Sequence, residues 1–248
     1  MKEYLEFKSI TFDTIQLQGN VSSFPLFEDN PNLNSESITR RIEDQIARWL
    51  FSINPVKELI LCELQIPLQN IWYDFRIAEP ITNPHKKPGD IDILICEKQR
   101  PDQSIAIQCK RIKVTAIDMG KDKVSRRIAD IADGVLQANG SRDMGFYKTY
   151  LVLLVVIDGR NRDLNNILSR GSTPRTLNRI YDFPGRGDLY SEIGIVIIEI
   201  VQPTSKGFTQ MAQVNVCVLA PAKPLSQLVS LTNRVKYLLK NKGIMQNV

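Results

Sequence analysis

Residues 150–157 read Tyr-Leu-Val-Leu-Leu-Val-Val-Ile, an unbroken apolar run rich in β-branched side chains. A strand with one wet face alternates apolar and polar residues. A continuous run marks a strand buried on both faces, so its sheet needs a layer of structure on each side. The run is also far too short to cross a bilayer.

The rest of the chain supplies those layers. After the turn-rich stretch Glu28-Asp29-Asn30-Pro31-Asn32, a helix is expected, capped by Ser35 or Ser37. Ile38, Ile42, Ile46, Trp49, Leu50 and Ile53 recur at three- and four-residue steps, and Pro55 ends the pattern. Strands are expected over 59–66, 71–77, 91–96 and 104–110, the last two joined by the polar link 97–103. A second helix fits 120–138, with Val124, Ile128, Ile131 and Val135 on one face and Gly140 as its stop. A short helix over 164–168 and a Gly-, Pro- and Arg-rich surface loop over 171–190 follow. Strands over 193–201 and 211–219 come next. A last helix covers 225–240, with Leu228, Leu231, Val235 and Leu238 turned inward. The order predicts an α/β fold with a mixed sheet, in one domain spanning 1–248.

Composition excludes several classes. At 43% hydrophobic and 24% charged residues, the chain is not of disordered type. Cys62, Cys96, Cys109 and Cys217 form no CxxC pair and His85 is the only histidine, so neither a zinc cluster nor a disulfide framework is expected. No apolar leader follows Met1-Lys2-Glu3, which together with the reduced cysteines points to a soluble cytoplasmic protein without a membrane partner. A net charge of +5 favours a polyanionic partner.

Chemistry concentrates in two adjacent segments: Pro88-Gly89-Asp90-Ile91-Asp92-Ile93-Leu94-Ile95 and Ile105-Ala106-Ile107-Gln108-Cys109-Lys110-Arg111. Two-residue alternation sends Gln108 and Lys110 from the same face of a strand. If the two strands form a hairpin, Asp92 opens the first where Lys110 closes the second, and acid, amide and amine converge. Phosphodiester hydrolysis uses this mixture: carboxylate and carbonyl oxygens for a divalent cation, and an ammonium beside the attacking oxygen.

Asp92 followed by the Gln108-Cys109-Lys110-Arg111 string resembles the PD-(D/E)xK nuclease superfamily, in the QxK variant of Mrr-like restriction endonucleases. The resemblance covers about 36–157 and implies a restriction-endonuclease-like αβββαβ core, with 158–248 as a C-terminal extension of strands and helix. It further implies a Mg²⁺-dependent DNA endonuclease, Mn²⁺ substituting, of a kind found in restriction, phage defence or repair. Asp92 would be the metal carboxylate, Gln108 would stand where most members carry Glu or Asp, and Lys110 would be the catalytic lysine. The Cys109 carbonyl would be a further ligand. Glu43, on the first helix, matches the acid that relatives place there. Gln108 is neutral, so the site holds one anionic charge fewer than the usual pattern. Asp90, read as sharing a strand face with Asp92, could supply that charge or be the principal ligand itself.

Basic residues flank these segments: Lys86, Lys87, Arg111, Lys113, Lys121, Lys123, Arg126, Arg127, Arg175, Arg179 and Arg186. All but Lys121 stand as candidate phosphate contacts. DNA is the expected partner. RNA is not separated from it by anything in the sequence, and concerted cutting of two strands would call for a homodimer. The competing reading is a nuclease fold without catalysis that binds nucleic acid or a protein.

Overall fold

In a computed structural model, which describes residues 7–13, 43–82, 88–115, 128–158, 179–202 and 211–244, the apolar run becomes β5 (Lys148–Asp158). It is the middle strand of a seven-stranded sheet ordered β1-β7-β6-β5-β4-β3-β2. The other strands are β1 (Lys8–Asp13), β2 (Ile71–Ile77), β3 (Ile91–Glu97), β4 (Arg100–Thr115), β6 (Gly194–Gln202) and β7 (Met211–Ala220). β4, β5 and β6 run parallel and the outer pairings are antiparallel. The fold is therefore α/β with a mixed sheet, and its doubly buried strand lies in the parallel centre.

Alternation splits β5 between two cores. Tyr150, Val152, Leu154 and Val156 face α1 (Glu43–Ser52) and α2 (Asn54–Glu63); Leu151, Leu153 and Val155 face α3 (Ile131–Asp143). On that second face, α4 (Val229–Asn241) covers β2 to β4, burying Leu231, Val235, Leu238 and Leu239 against Ile91, Leu94 and Ala106.

Several expectations needed correction. Residues 59–66 were expected as a strand but belong to α2 and the turn after it. Val56, Ile60, Leu61 and Leu64 are buried, which is a helical spacing, and Pro55 starts this helix as well as ending α1. A short apolar run cannot by itself separate strand from buried helix. Gly140 does not stop α3, which continues to Asp143. A Cβ there would come within 3.2–3.4 Å of Pro88, so the glycine permits close packing, and the left-handed residue after the helix is Gly145 at φ 83°. The expected surface loop is partly core: Ile180 and Phe183 are buried against α3. Leu228 is exposed at the head of α4, with its side chain against Gly145. β1 was not anticipated at all. The expected caps Ser35 and Ser37, residues 120–127 of the second helix, the short helix at 164–168, and His85 lie outside the described residues.

Candidate active site

β4 turns Ile105, Ile107 and Cys109 toward α1 and α2, and Gln108 and Lys110 toward α3. The predicted common face of Gln108 and Lys110 is observed. Opposite them, β3 pairs Ile93 with Ile107, and the N–H of Cys109 is taken by a side chain: Asp92 Oδ2 accepts it at 2.7 Å. The carboxylate is thereby held beside the backbone between Gln108 and Lys110, by the stronger kind of hydrogen bond that an ionised acceptor makes. In an extended strand a residue's N–H and C=O point toward the same neighbour, so the Cys109 carbonyl also faces the Asp92 side.

Gln108 is 1% exposed, and its amide orientation follows from its partners. Nε2 donates to the carbonyl of Asp90 at 3.2 Å and to Ser141 Oγ at 3.0 Å. Ser141 spends its own proton on the Gln137 carbonyl at 3.0 Å, so toward Gln108 it can only accept. Both amide protons are used, and Oε1 is left buried with no hydrogen-bond partner. A buried acceptor without a donor is costly, and a cation at that oxygen would relieve the cost. Gln137, one turn before Ser141, likewise has a buried Oε1 without a partner.

Lys110 is half-buried and its stem crosses α3 at Gly134. A Cβ on that glycine would lie 2.5 Å from Lys110 Cγ and 3.0 Å from Cε. The groove that takes the lysine stem is thus cut by the missing side chain.

Asp90 departs from the expectation. It precedes β3 instead of sharing a strand face with Asp92. It contributes its carbonyl to Gln108, and its carboxylate pairs with Arg76 Nε at 3.6 Å. Arg76 lies in the β2–β3 register between the pairs Phe75–Ile93 and Ile77–Ile91, opposite Asp92, with φ 52°. Positive φ in a residue with a Cβ is uncommon and collects at functional sites. Glu43 opens α1, on the other face of the sheet. Among the described residues no three His, Cys, Asp or Glu side chains gather as a metal-binding group, so Glu43, Asp90 and Asp92 do not form a three-carboxylate cluster. A cation here would have the Asp92 carboxylate, the Gln108 amide oxygen and the Cys109 carbonyl, an all-oxygen donor set that suits Mg²⁺ with retained waters.

Of the basic candidates, Arg111 continues β4 beyond Lys110, and Lys113 follows on the same strand. Arg179 and Arg186 are partly buried; the Arg186 guanidinium stacks on Tyr181 with its carbon 4.0 Å from the ring centre, and is committed to that contact. Lys86, Lys87, Lys123, Arg126, Arg127 and Arg175 lie outside the described residues. Sequence reasoning missed Ser141, Gly134 and Arg76. Gly134 had a signal, since a glycine in a helix interior costs roughly 1 kcal/mol and calls for a packing reason.

No family model, no curated protein and no solved structure matches the chain. Among the described residues no helix is long and apolar enough to cross a membrane.

Proposed function

We propose that the chain is a Mg²⁺-dependent DNA endonuclease of the PD-(D/E)xK kind in its QxK form. The observation that carries this reading is that the Asp92 carboxylate is held on the Cys109 N–H while the residue before it on the strand, Gln108, has a buried Oε1 without a hydrogen-bond partner. The order of elements supports it too: α1 and α2, the β2-β3-β4 meander, α3, then β5 parallel to β4. It differs from the αβββαβ pattern in having two helices before the meander.

In this reading Asp92, Gln108 and the Cys109 carbonyl hold the cation. When bound, the cation supplies positive charge against the scissile phosphate and acidifies a water. Asp92 contributes the negative charge of the site, and its bond to Cys109 fixes it before substrate arrives. Lys110, steered out of the Gly134 groove, presents its ammonium to the phosphate and to the attacking oxygen as charge develops. Arg76, paired with Asp90, is a further cation near the site and can exchange that carboxylate for a phosphate oxygen.

A second reading, a binding module without catalysis, is favoured by one observation: the absence of a three-ligand acidic group among the described residues. Supercoiled plasmid incubated with Mg²⁺ or Mn²⁺ decides between them. The wild type is expected to nick it, and Asp92→Ala and Lys110→Ala are expected to lose nicking by at least a hundredfold, the scale on which one positioned group in a site of this kind contributes. Equal nicking by all three proteins would remove the site from the reaction. Salt-sensitive DNA binding without nicking would establish the module instead.

A further inference from the structure

After Glu199 the chain contains no further Asp or Glu, whereas Lys206, Lys223, Arg234, Lys236, Lys240 and Lys242 add six positive charges. Taking those six from the chain's 32 cations leaves 26 against 27 acids in residues 1–199. The basic character of the protein therefore resides in its C-terminal segment, outside the flanks of the candidate active site.

α4 and its end carry four of the six. Two serve the fold: Arg234 Nη1 donates to the Ile81 carbonyl at 2.8 Å, and Lys242 pairs with the Asp74 carboxylate. The other two, Lys236 and Lys240, are exposed and share one helical stripe with exposed Asn233 and Tyr237, at i, i+3, i+4 and i+7. Tyr237 is 58% exposed, an amphipathic ring set between two lysines. Asp102, the carboxylate that Lys236 reaches electrostatically, is already paired with Arg100 at 3.2 Å, so Lys236 keeps its charge for an outside partner.

We propose that the Asn233–Lys236–Tyr237–Lys240 stripe of α4 grips the phosphate backbone of duplex DNA. The proposal rests on the nuclease reading for the choice of DNA as the polyanion. An anionic membrane fits less well. The apolar stripe that such a helix would insert, Leu231, Val235 and Leu239, is 0% exposed and already used by the core. The stripe rides on the sheet face from which Gln108 and Lys110 emerge. Lys236 sits by Asp102, eight residues before Lys110 on β4, which is about 26 Å along the strand. A duplex cut near Lys110 would thus meet α4 about eight base pairs away.

The test is binding of a fluorescent 24-base-pair duplex in EDTA, where no cleavage can occur, across a salt series. Lys236→Ala/Lys240→Ala, Tyr237→Ala and, on the opposite face of the sheet, Lys57→Ala are compared with wild type, each checked for an unchanged thermal melt. Loss of two phosphate contacts lowers the log–log salt slope by about 1.8. Wild-type affinity should therefore fall about 12-fold more than that of the double variant when salt rises fourfold. Lys57→Ala should track the wild type. A double variant indistinguishable from wild type, a Lys57→Ala effect of equal size, no duplex binding by the wild type, or lysine-dependent binding to phosphatidylserine vesicles in its place would each overturn the proposal. Plasmid nicking read alongside separates the two claims: duplex binding through α4 without nicking removes the nuclease and keeps this surface, and nicking with α4 variants that bind normally does the reverse.

Discussion

Under the proposed function, replacing Gln108 by glutamate would give the chain the acidic residue found in most PD-(D/E)xK nucleases, yet the structure predicts that it destabilises the metal-free protein. The two protons on Nε2 go to the Asp90 carbonyl at 3.2 Å and to Ser141 Oγ at 3.0 Å. A carboxylate has neither proton and would set an anion against a carbonyl oxygen in a position 1% exposed. The buried acid therefore keeps its proton in the folded state, raising its pKa above the unfolded value of about 4.3. The sign follows by linkage: the folded state holds more protons than the unfolded state, so the penalty is absent below pH 4.3 and grows as pH rises toward the folded pKa. At about 1.36 kcal/mol per pH unit it is about 1 kcal/mol at pH 5 and about 3.7 kcal/mol at pH 7. A protonated carboxyl donates only one hydrogen bond, which costs about 1 kcal/mol more at either pH. Against a typical stability of about 5–15 kcal/mol, the variant at pH 7 is near its limit. On the proposed function Mg²⁺ would offset part of this, because the ionised carboxylate would become a ligand; at a hundred times its Kd a cation returns about 2.7 kcal/mol. Urea unfolding of both proteins at pH 5 and pH 7, in EDTA and in Mg²⁺, reads all four corners. The reasoning is refuted if Gln108→Glu matches wild type in EDTA at pH 7, or if Mg²⁺ stabilises neither protein.

Three further perturbations probe neighbouring contacts. Asp92→Ala removes the acceptor of the Cys109 N–H and should cost at least about 1–3 kcal/mol by chemical unfolding, whereas Asp92→Asn, which keeps an acceptor oxygen, should recover most of that stability but none of the nicking. Gly134→Ala gains about 1 kcal/mol of helix propensity but drives a methyl to 2.5 Å from Lys110 Cγ. Plasmid nicking should fall while the melting temperature changes little, and unchanged nicking would show that the groove does not position the lysine. Burial pushes the Cys96 thiol up to about 12 and also encloses Cys109 and Cys217, whereas Cys62 is exposed. A thiol reagent at pH 8 should label one cysteine per native chain and four in denaturant, and faster labelling of a second would contradict the packing.

The central sheet was legible because β-branched runs such as 150–157 and the alternation at 105–110 carry their burial in the residue order itself. The convergence of Asp92 with the Gln108–Lys110 strand was legible for the same reason, since register follows from a short hairpin. Residues 59–66 were not, because Leu59-Ile60-Leu61 satisfies a strand as well as a helix until Tyr150 donates its hydroxyl to the Leu64 carbonyl and the turn closes. The second layer of the site was also hidden. Ser141 and Gly134 reach Gln108 and Lys110 across the crossover between β4 and β5, and nothing local marks which turn of α3 will lie over which strand residue. Asp90 shows the limit most sharply: two aspartates two apart on a strand should point the same way, but the chain enters β3 only after Asp90, which turns its carboxylate to Arg76.

That ion pair has a thermodynamic consequence. Asp90, the acid two residues before Asp92 that could offset the neutral Gln108, is engaged with Arg76, leaving the candidate cation site one carboxylate, one amide oxygen and one carbonyl. Such a set binds Mg²⁺ loosely on its own, and the missing negative charge must come from the phosphate of the substrate. Cation and DNA should then bind cooperatively, and by linkage each must raise the other's affinity by the same factor. With the Lys110→Ala protein, which is expected to bind but not cut, Mg²⁺ titrated in the presence of saturating duplex should show an apparent Kd about tenfold or more below its value alone, a coupling of about 1.4 kcal/mol. DNA titrated at saturating Mg²⁺ should tighten by the same factor. Equal Mg²⁺ affinity with and without DNA would mean that the protein completes the cation's charge by itself, and the account of Gln108 as a neutral ligand in an under-charged site would fail.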